Sequence, residues 1–167
     1  MKLYIVRHAI AVARGTLGTG DDDRVLSEEG VAKMRRNAAG LRALNYLPEL
    51  ILSSPLPRAR QTAEILLEEF EKKMELKIAP ALAPSGEREE LYREIRRYEK
   101  KLKSLMLVGH QPSLGEIAGE IAFGSPECYV NFKKGGACAI EWESVRGAPR
   151  GIMIALLTPS VLRKIAG

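Results

Sequence analysis

Lys2-Leu-Tyr-Ile-Val-Arg-His-Ala9 opens the chain, and its reading decides the fold. Leu3, Tyr4, Ile5 and Val6 form a run of aliphatic, aromatic and β-branched side chains with no charge among them. A short run of that kind suits a strand covered on both faces, as in a parallel sheet. It stops at Arg7 and His8, a guanidinium and an imidazole that do not belong in a core. In open α/β sheets ligands bind beyond the carboxyl ends of the strands. The pair therefore stands where a ligand is expected.

Two later stretches repeat the arrangement. Ser104-Leu-Met-Leu-Val108 is a second apolar run, and it leads into Gly109-His110-Gln111-Pro112. Leu50-Ile51-Leu52 is a third, and it leads into Ser53-Ser54-Pro55, with Arg58 and Arg60 close behind. The chain has two histidines, His8 and His110, and each follows such a run. If these strands are neighbours in a parallel sheet, both imidazoles and their arginines face one crevice.

Helical patterns separate the strands. Ala9 to Asp23 is rich in Gly, Thr and Asp and reads as a loop; its Asp21-Asp22-Asp23 run is read as solvated rather than as a cation site. Leu26-Ser27-Glu28-Glu29 reads as a helix start, with Ser27 as cap and two acids in the first turn. Val31, Met34, Ala38 and Leu41 give that helix one apolar face, and it should end near Asn45. Pro57 can take an early helical position, with Ala59, Ala63, Leu66 and Phe70 as the buried stripe. Leu76 to Ile78 is a weak edge-strand candidate, and Pro80 to Gly86 reads as a loop. Leu91, Ile95, Tyr98 and Leu102 mark a further helix, and Leu114, Ile117, Ala118 and Ile121 another. Ala137 to Trp142 alternates, as a strand near an edge does, and Ile152 to Leu157 is a last apolar strand before a short helix or tail. Alternating strands and helices predict a single domain over residues 1–167. It is a three-layer α/β/α sandwich whose central sheet is mostly parallel, with an antiparallel edge strand.

Composition narrows the function classes. At 167 residues the chain can bury a sizeable core. No apolar run approaches the roughly 18 residues of a membrane span, and the opening lacks the form of a signal peptide. A cytoplasmic protein with no membrane partner is expected. Cys128 and Cys138 are read as small buried hydrophobes, without metal-ligand spacing. The formal charge of +5 suits an anionic ligand. The basic residues are interleaved with Glu rather than gathered in one block, which argues against nucleic acid.

The residue types at the three strand ends suit phosphoryl transfer. Arginine forks grip a phosphoryl group bidentately. The helix starts after Pro55 and Pro112 add backbone N–H donors. A neutral imidazole can attack phosphorus as a nucleophile, and a second imidazole can stabilise the developing charge. Such catalysis rests on positioning and charge stabilisation. The guanidiniums already supply positive charge, so no metal and no cofactor are expected.

Val6-Arg7-His8, Ser54-Pro55-Leu56-Pro57-Arg58-Ala59-Arg60-Gln61-Thr62 and Val108-Gly109-His110-Gln111-Pro112 together resemble the three signature blocks of the histidine phosphatase superfamily, which includes the phosphoglycerate mutases. Within it the chain is most similar to the small phosphohistidine phosphatases of the SixA type. Its length leaves no room for a large cap insertion. Leu26-Ser27-Glu28-Glu29-Gly30 resembles that family's L-(S/T)-x-x-G helix start, and Ala81-Leu82-Ala83-Pro84-Ser85-Gly86 resembles its E-L-x-P-x-G loop. There are two departures: Ala81 stands for the usual Glu, and Ala9 for the usual Gly after the first histidine.

The resemblance implies a phosphoglycerate mutase-like fold and a phosphatase in which His8 becomes phosphohistidine. It implies that Arg7 and Arg58 bind the phosphoryl oxygens and that His110 completes the pocket. Arg60 aligns with a more variable position and is left out. A general acid is the missing part: Glu87 and Asp21 to Asp23 are candidates, none in a signature. A phosphohistidine substrate needs an acid less than an ester does, because an imidazole can depart neutral. The expected substrate is therefore phosphohistidine on a protein. A small phosphorylated metabolite is the alternative; mutase activity and a non-catalytic phosphate-binding module stand behind these.

Overall fold

The structure, a computed structural model, describes residues 1–16, 18, 20–71, 74–143 and 148–167. Leu17 and Thr19 of the expected first loop lie outside the described residues. The elements follow in the order β1 (Lys2–Arg7), α1 (Glu28–Ala43), β2 (Leu50–Ser53), α2 (Pro57–Phe70), β3 (Glu75–Ile78), α3 (Arg88–Tyr98), β4 (Ser104–Gly109), α4 (Ser113–Phe123), β5 (Ala137–Glu143), β6 (Arg150–Leu157) and α5 (Pro159–Ile165). A single 3₁₀ turn, Pro80–Leu82, interrupts the segment read as a loop.

The strands form one six-stranded sheet in the order β3-β2-β4-β1-β5-β6. The pairs β3–β2, β2–β4 and β4–β1 are parallel; β1–β5 and β5–β6 are antiparallel. The expected mostly parallel sheet with flanking helices is present. One strand, β5, runs against the other five, and it lies one place in from the edge. β5 lies inside the sheet, between β1 and β6, and its residues Ala137 to Ile140 are all buried. The edge is β6, which alternates between exposed and half-buried. Alternation in β5 misled because its first residues are small rather than polar.

Two apolar layers hold the helices to the sheet. On one face Met34, Ala38, Leu41, Ala63, Leu66 and Leu162 bring α1, α2 and α5 onto Tyr4, Val6, Met106 and Val108. On the other, Leu91, Tyr92, Ile95, Leu114, Ile117 and Ile121 bring α3 and α4 onto Leu3, Ile5, Leu105 and Leu107. The central strands are thus covered on both sides, which is why they read as unbroken apolar runs. Leu102 lies beyond the end of α3 and packs at the rim of this second layer. Of the two cysteines, both free, Cys138 is buried and Cys128 is exposed. Burial pushes the Cys138 thiol up to about 12.

Register sets the site. β1 and β4 pair so that Arg7 lies opposite Gly109, and β2 and β4 pair so that Ser53 lies opposite Val108. The three strand ends are therefore level. The backbone stays stitched one residue further: His8 N donates to Gly109 O at 3.0 Å, and Ser54 N to Val108 O at 2.9 Å.

Candidate active site

The two imidazoles delivered by β1 and β4 meet. The ring centroids of His8 and His110 are 5.0 Å apart, with planes inclined at 52°. Arg7, His8, Arg58 and His110 line one cleft of about 580 Å³ at the carboxyl ends of the strands. All four predicted residues are thus brought together from three strand exits. Arg60 is not among the lining residues; it is exposed and pairs with Glu64 at 3.4 Å.

Each reactive group is held from behind. His8 Nδ1 lies 2.8 Å from the Ala9 carbonyl. A carbonyl only accepts, so Nδ1 carries the proton and the lone pair of the neutral ring lies on Nε2. Ala9 is itself fixed, its N–H donating to Thr62 Oγ1 at 3.0 Å, and Thr62 Oγ1 donates to the Arg58 carbonyl at 2.7 Å. One buried threonine on α2 thereby ties the His8 loop to the turn that carries Arg58. The loop then meets α1. Ser27 caps the helix by accepting from Gly30 N at 3.1 Å, and its own N–H donates to Ile10 O at 3.0 Å. Gln61 joins the same framework by accepting from Leu26 N at 2.7 Å.

Cations surround the rings. Arg7 Nη1 donates to the Phe132 carbonyl at 2.6 Å, and Arg58 Nη1 to the Asp21 carbonyl at 2.9 Å. Arg7 Nε, Arg58 Nε and His110 Nδ1 are buried with no hydrogen-bond partner among the described residues. Buried polar nitrogens without acceptors cost free energy. A tetrahedral oxyanion in this cleft would offer them acceptors, which is the fit expected of a phosphoryl site.

Arg14, Arg24 and Lys134 also line the cleft. No strand end announced them; Arg14 and Arg24 lie in and just after the loop read as featureless, and Lys134 lies in the turn before β5. Their signal was the sign of the charge alone. Asp21 organises part of this group: its Oδ1 lies 3.0 Å from Arg14 Nε and 2.9 Å from Arg24 Nε. The acidic run is therefore not simply solvated.

Burial and neighbouring charge both act on the imidazoles. Burial lowers His8 from 6.5 to about 4, with Arg58, Arg7 and Lys134 adding to the fall and the Ala9 bond opposing it. Burial lowers His110 to about 3, helped by His8, Arg58, Arg7 and Arg24. Both rings are neutral near pH 7. The carboxylates behave otherwise. Asp21 and Asp22 border the cleft, whereas Asp23 and Glu87 do not. Desolvation works upward on the Asp21 carboxyl, but Arg24, Arg14 and Arg58 outweigh it and hold it below its ordinary value. Asp21 is thus charged and holds arginines; it has no proton to give. Glu87 is the N-cap residue of α3, with no side-chain capping bond.

A sheet of this order brings two histidines and two arginines to one cleft at its parallel strand ends. Residues 3–119 match the model of the histidine phosphatase superfamily, branch 1, and the chain belongs to that superfamily. An uncharacterized protein of Picosynechococcus is 40% identical over 147 residues, covering 87% of this chain and 88% of its own length. The structure of the protein histidine phosphatase SixA complexed with tungstate superposes with a TM-score of 0.85 at 22% identity, covering 97% of this chain and 99% of that one. An Agrobacterium tumefaciens protein provisionally assigned as the phosphohistidine phosphatase SixA gives 0.76 at 27% identity, over 95% and 97% of the two chains. The α-ribazole phosphatase of Shigella flexneri gives 0.74 at 17% identity, over 95% and 97%.

Proposed function

We propose that the protein hydrolyses phosphohistidine on a protein substrate through a phosphoenzyme on His8. The observation that carries the reading is the state of His8: buried, neutral, with its proton held on Nδ1 by the Ala9 carbonyl. Nε2 is then the nucleophile, and Arg7, Arg58 and His110 are the residues that hold the phosphoryl oxygens.

In the first half-reaction the Nε2 lone pair forms a bond to phosphorus. The bond from phosphorus to the substrate imidazole breaks, and that ring leaves with the electron pair. It leaves neutral when its other nitrogen is protonated, so no enzyme acid is needed. This fits a cleft in which Asp21 is held charged by Arg24, Arg14 and Arg58. Phospho-His8 keeps its proton on Nδ1 and is a phosphoimidazolium. In the second half-reaction water attacks phosphorus and passes a proton to a phosphoryl oxygen, Nε2 takes back its electron pair, and His8 returns to the neutral ring as phosphate departs. The Ala9 bond thus makes the same nitrogen a competent nucleophile and then a good leaving group.

The test compares two substrates: a protein phosphorylated on histidine and p-nitrophenyl phosphate. The reading expects faster release of phosphate from the protein, together with an acid-labile phosphate adduct that His8→Ala abolishes. Rapid turnover of the ester with none of the phosphoprotein would assign the chain to the small-molecule phosphomonoesterases of the superfamily instead.

A further inference from the structure

A second cleft, of about 510 Å³, opens beside the first and shares Arg7 and Lys134 with it. It runs between α1, the turn before β5 and α5. Its lining contains Arg7, Lys33, Lys133, Lys134 and Arg163, and no Asp or Glu. Lys33 is paired with Glu29 at the rim. The remaining four have no carboxylate partner among the described residues: Arg7 bonds the Phe132 carbonyl, and Arg163 Nη1 donates to Asn37 Oδ1 at 3.1 Å. Cations far apart along the sequence are here gathered by the fold.

The groove is built rather than accidental. Asn37 on α1 is 2% exposed, and both ends of its amide are committed. Its Nδ2 donates to the Gly135 carbonyl at 3.1 Å, while its Oδ1 holds Arg163. Gly135 N in turn lies 3.1 Å from the carbonyls of both Arg7 and His8. Gly135 has φ +76°, which a side-chain-bearing residue rarely adopts, so the turn presenting Lys133 and Lys134 depends on glycine. One buried amide therefore couples the basic turn and α5 to the catalytic strand.

We infer that this groove docks an acidic surface of the phosphorylated protein, next to its phosphohistidine. The inference rests on the phosphohistidine-protein reading and names how that substrate is recognised. A protein surface fits better than a second phosphate of a small molecule. A small dianion needs several converging buried donors, and the lining has a single buried polar side chain, Asn37, whose Nδ2 already donates to Gly135 O. Lys133 and Lys134 are exposed and spread, which suits contact with a broad acidic face. Arg7 and Lys134 belong to both clefts, so a partner lying in the groove has its phosphoryl group within reach of His8.

The experiment uses an acidic phosphotransfer domain phosphorylated on its histidine with phosphoramidate, and p-nitrophenyl phosphate as the small substrate. Lys133→Glu alters an exposed side chain outside the catalytic cleft, and Lys133→Glu with Arg163→Glu strengthens the reversal. The expected result is a fall in kcat/KM for the phosphodomain of about 10- to 100-fold, as loss of electrostatic steering gives, with the ester rate and melting temperature of Lys133→Glu unchanged. Raised salt should weaken the wild type toward the phosphodomain alone. Full phosphodomain activity in both variants overturns the groove while leaving the phosphohistidine reading intact. A small bisphosphate is assayed alongside these substrates, and a loss confined to it overturns the inference in favour of a second phosphate site. A wild type that releases nothing from the phosphodomain sinks both.

Discussion

Ser54 Oγ lies 2.8 Å from His110 Nε2, joining the end of β2 to the residue after β4 inside a buried wall. The same oxygen accepts from Leu56 N at 3.3 Å. The hydroxyl keeps its hydrogen and a second lone pair, so it holds His110 Nε2 in either ring tautomer. His110 Nδ1 has no hydrogen-bond partner among the described residues. In Ser54→Ala the ring is no longer held and Nε2 is left bare. A drop of about 10-fold in kcat is expected, with a stability loss of about 1 kcal/mol. Steady-state kinetics and urea denaturation check the pair of effects, and an unaltered kcat would remove Ser54 from the site.

The arginines differ from lysines in more than length. Arg58 bonds the Asp21 carbonyl through Nη1 and keeps its buried Nε unpartnered. A planar fork can therefore serve backbone and phosphoryl oxygen at once, which an ammonium cannot do in that geometry. Arg58→Lys should retain the charge and still lose roughly 100-fold in kcat/KM, on the order of 3 kcal/mol of transition-state stabilisation. Arg60→Lys, on the exposed neighbour, should leave the rate unchanged. Equal losses at both positions would contradict the assignment.

The strand ends were legible because burial on both faces leaves an unmistakable pattern. Leu3 to Val6, Leu50 to Leu52 and Leu105 to Val108 are each covered by helices, and the first polar residues after the first and last of these runs, Arg7 and His110, belong to the cleft. The second layer of the site was not legible. Arg14 and Arg24 acquire their place through Asp21, and Asn37 acquires its place by sitting under the Gly135 turn. Neither relation has a sequence period, since each depends on how a loop folds back. Asp21 to Asp23 were weighed as acids or solvated surface; the structure makes Asp21 a clamp for arginines. The antiparallel pair β5–β6 was half legible, because a small-residue start such as Ala137-Cys138-Ala139 carries little information about which face is wet.

Gly30 gives a packing test of the link between α1 and the His8 loop. A Cβ there would lie 1.9 Å from Ile10 O, the carbonyl that accepts from Ser27 N. Helix propensity alone predicts that Gly30→Ala stabilises, by about 1 kcal/mol. The backbone clash decides the sign the other way. The loop must move, and a net loss of roughly 1–3 kcal/mol is expected, with reduced kcat because the same loop carries Ala9. Thermal denaturation and kinetics of Gly30→Ala check it; a stabilised, fully active variant would show that the loop yields freely.

The pH dependence follows from the direction of the histidine shifts. His8 titrates at about 4 in the folded protein and near 6.5 when unfolded, because burial and then Arg58, Arg7 and Lys134 disfavour its charged form. For catalysis, the neutral nucleophile persists down to about pH 4, so kcat/KM for p-nitrophenyl phosphate should have no acid limb near 6.5. Lys134→Gln removes one of the opposing cations and should move the acid limb upward in pH. For stability the sign is the same. Above pH 6.5 neither state binds the proton. As pH falls from 6.5 towards 4 the unfolded chain takes it up and the folded protein does not, so stability is lost across that window. For His8 the loss is on the order of 3 kcal/mol. Urea denaturation at pH 7 and at pH 4.5 should show it, and His8→Ala should lose less than the wild type over the same interval. A wild type whose stability does not change between those pH values would mean that the imidazole is solvated, and the account of His8 as a pre-set neutral nucleophile would fail with it.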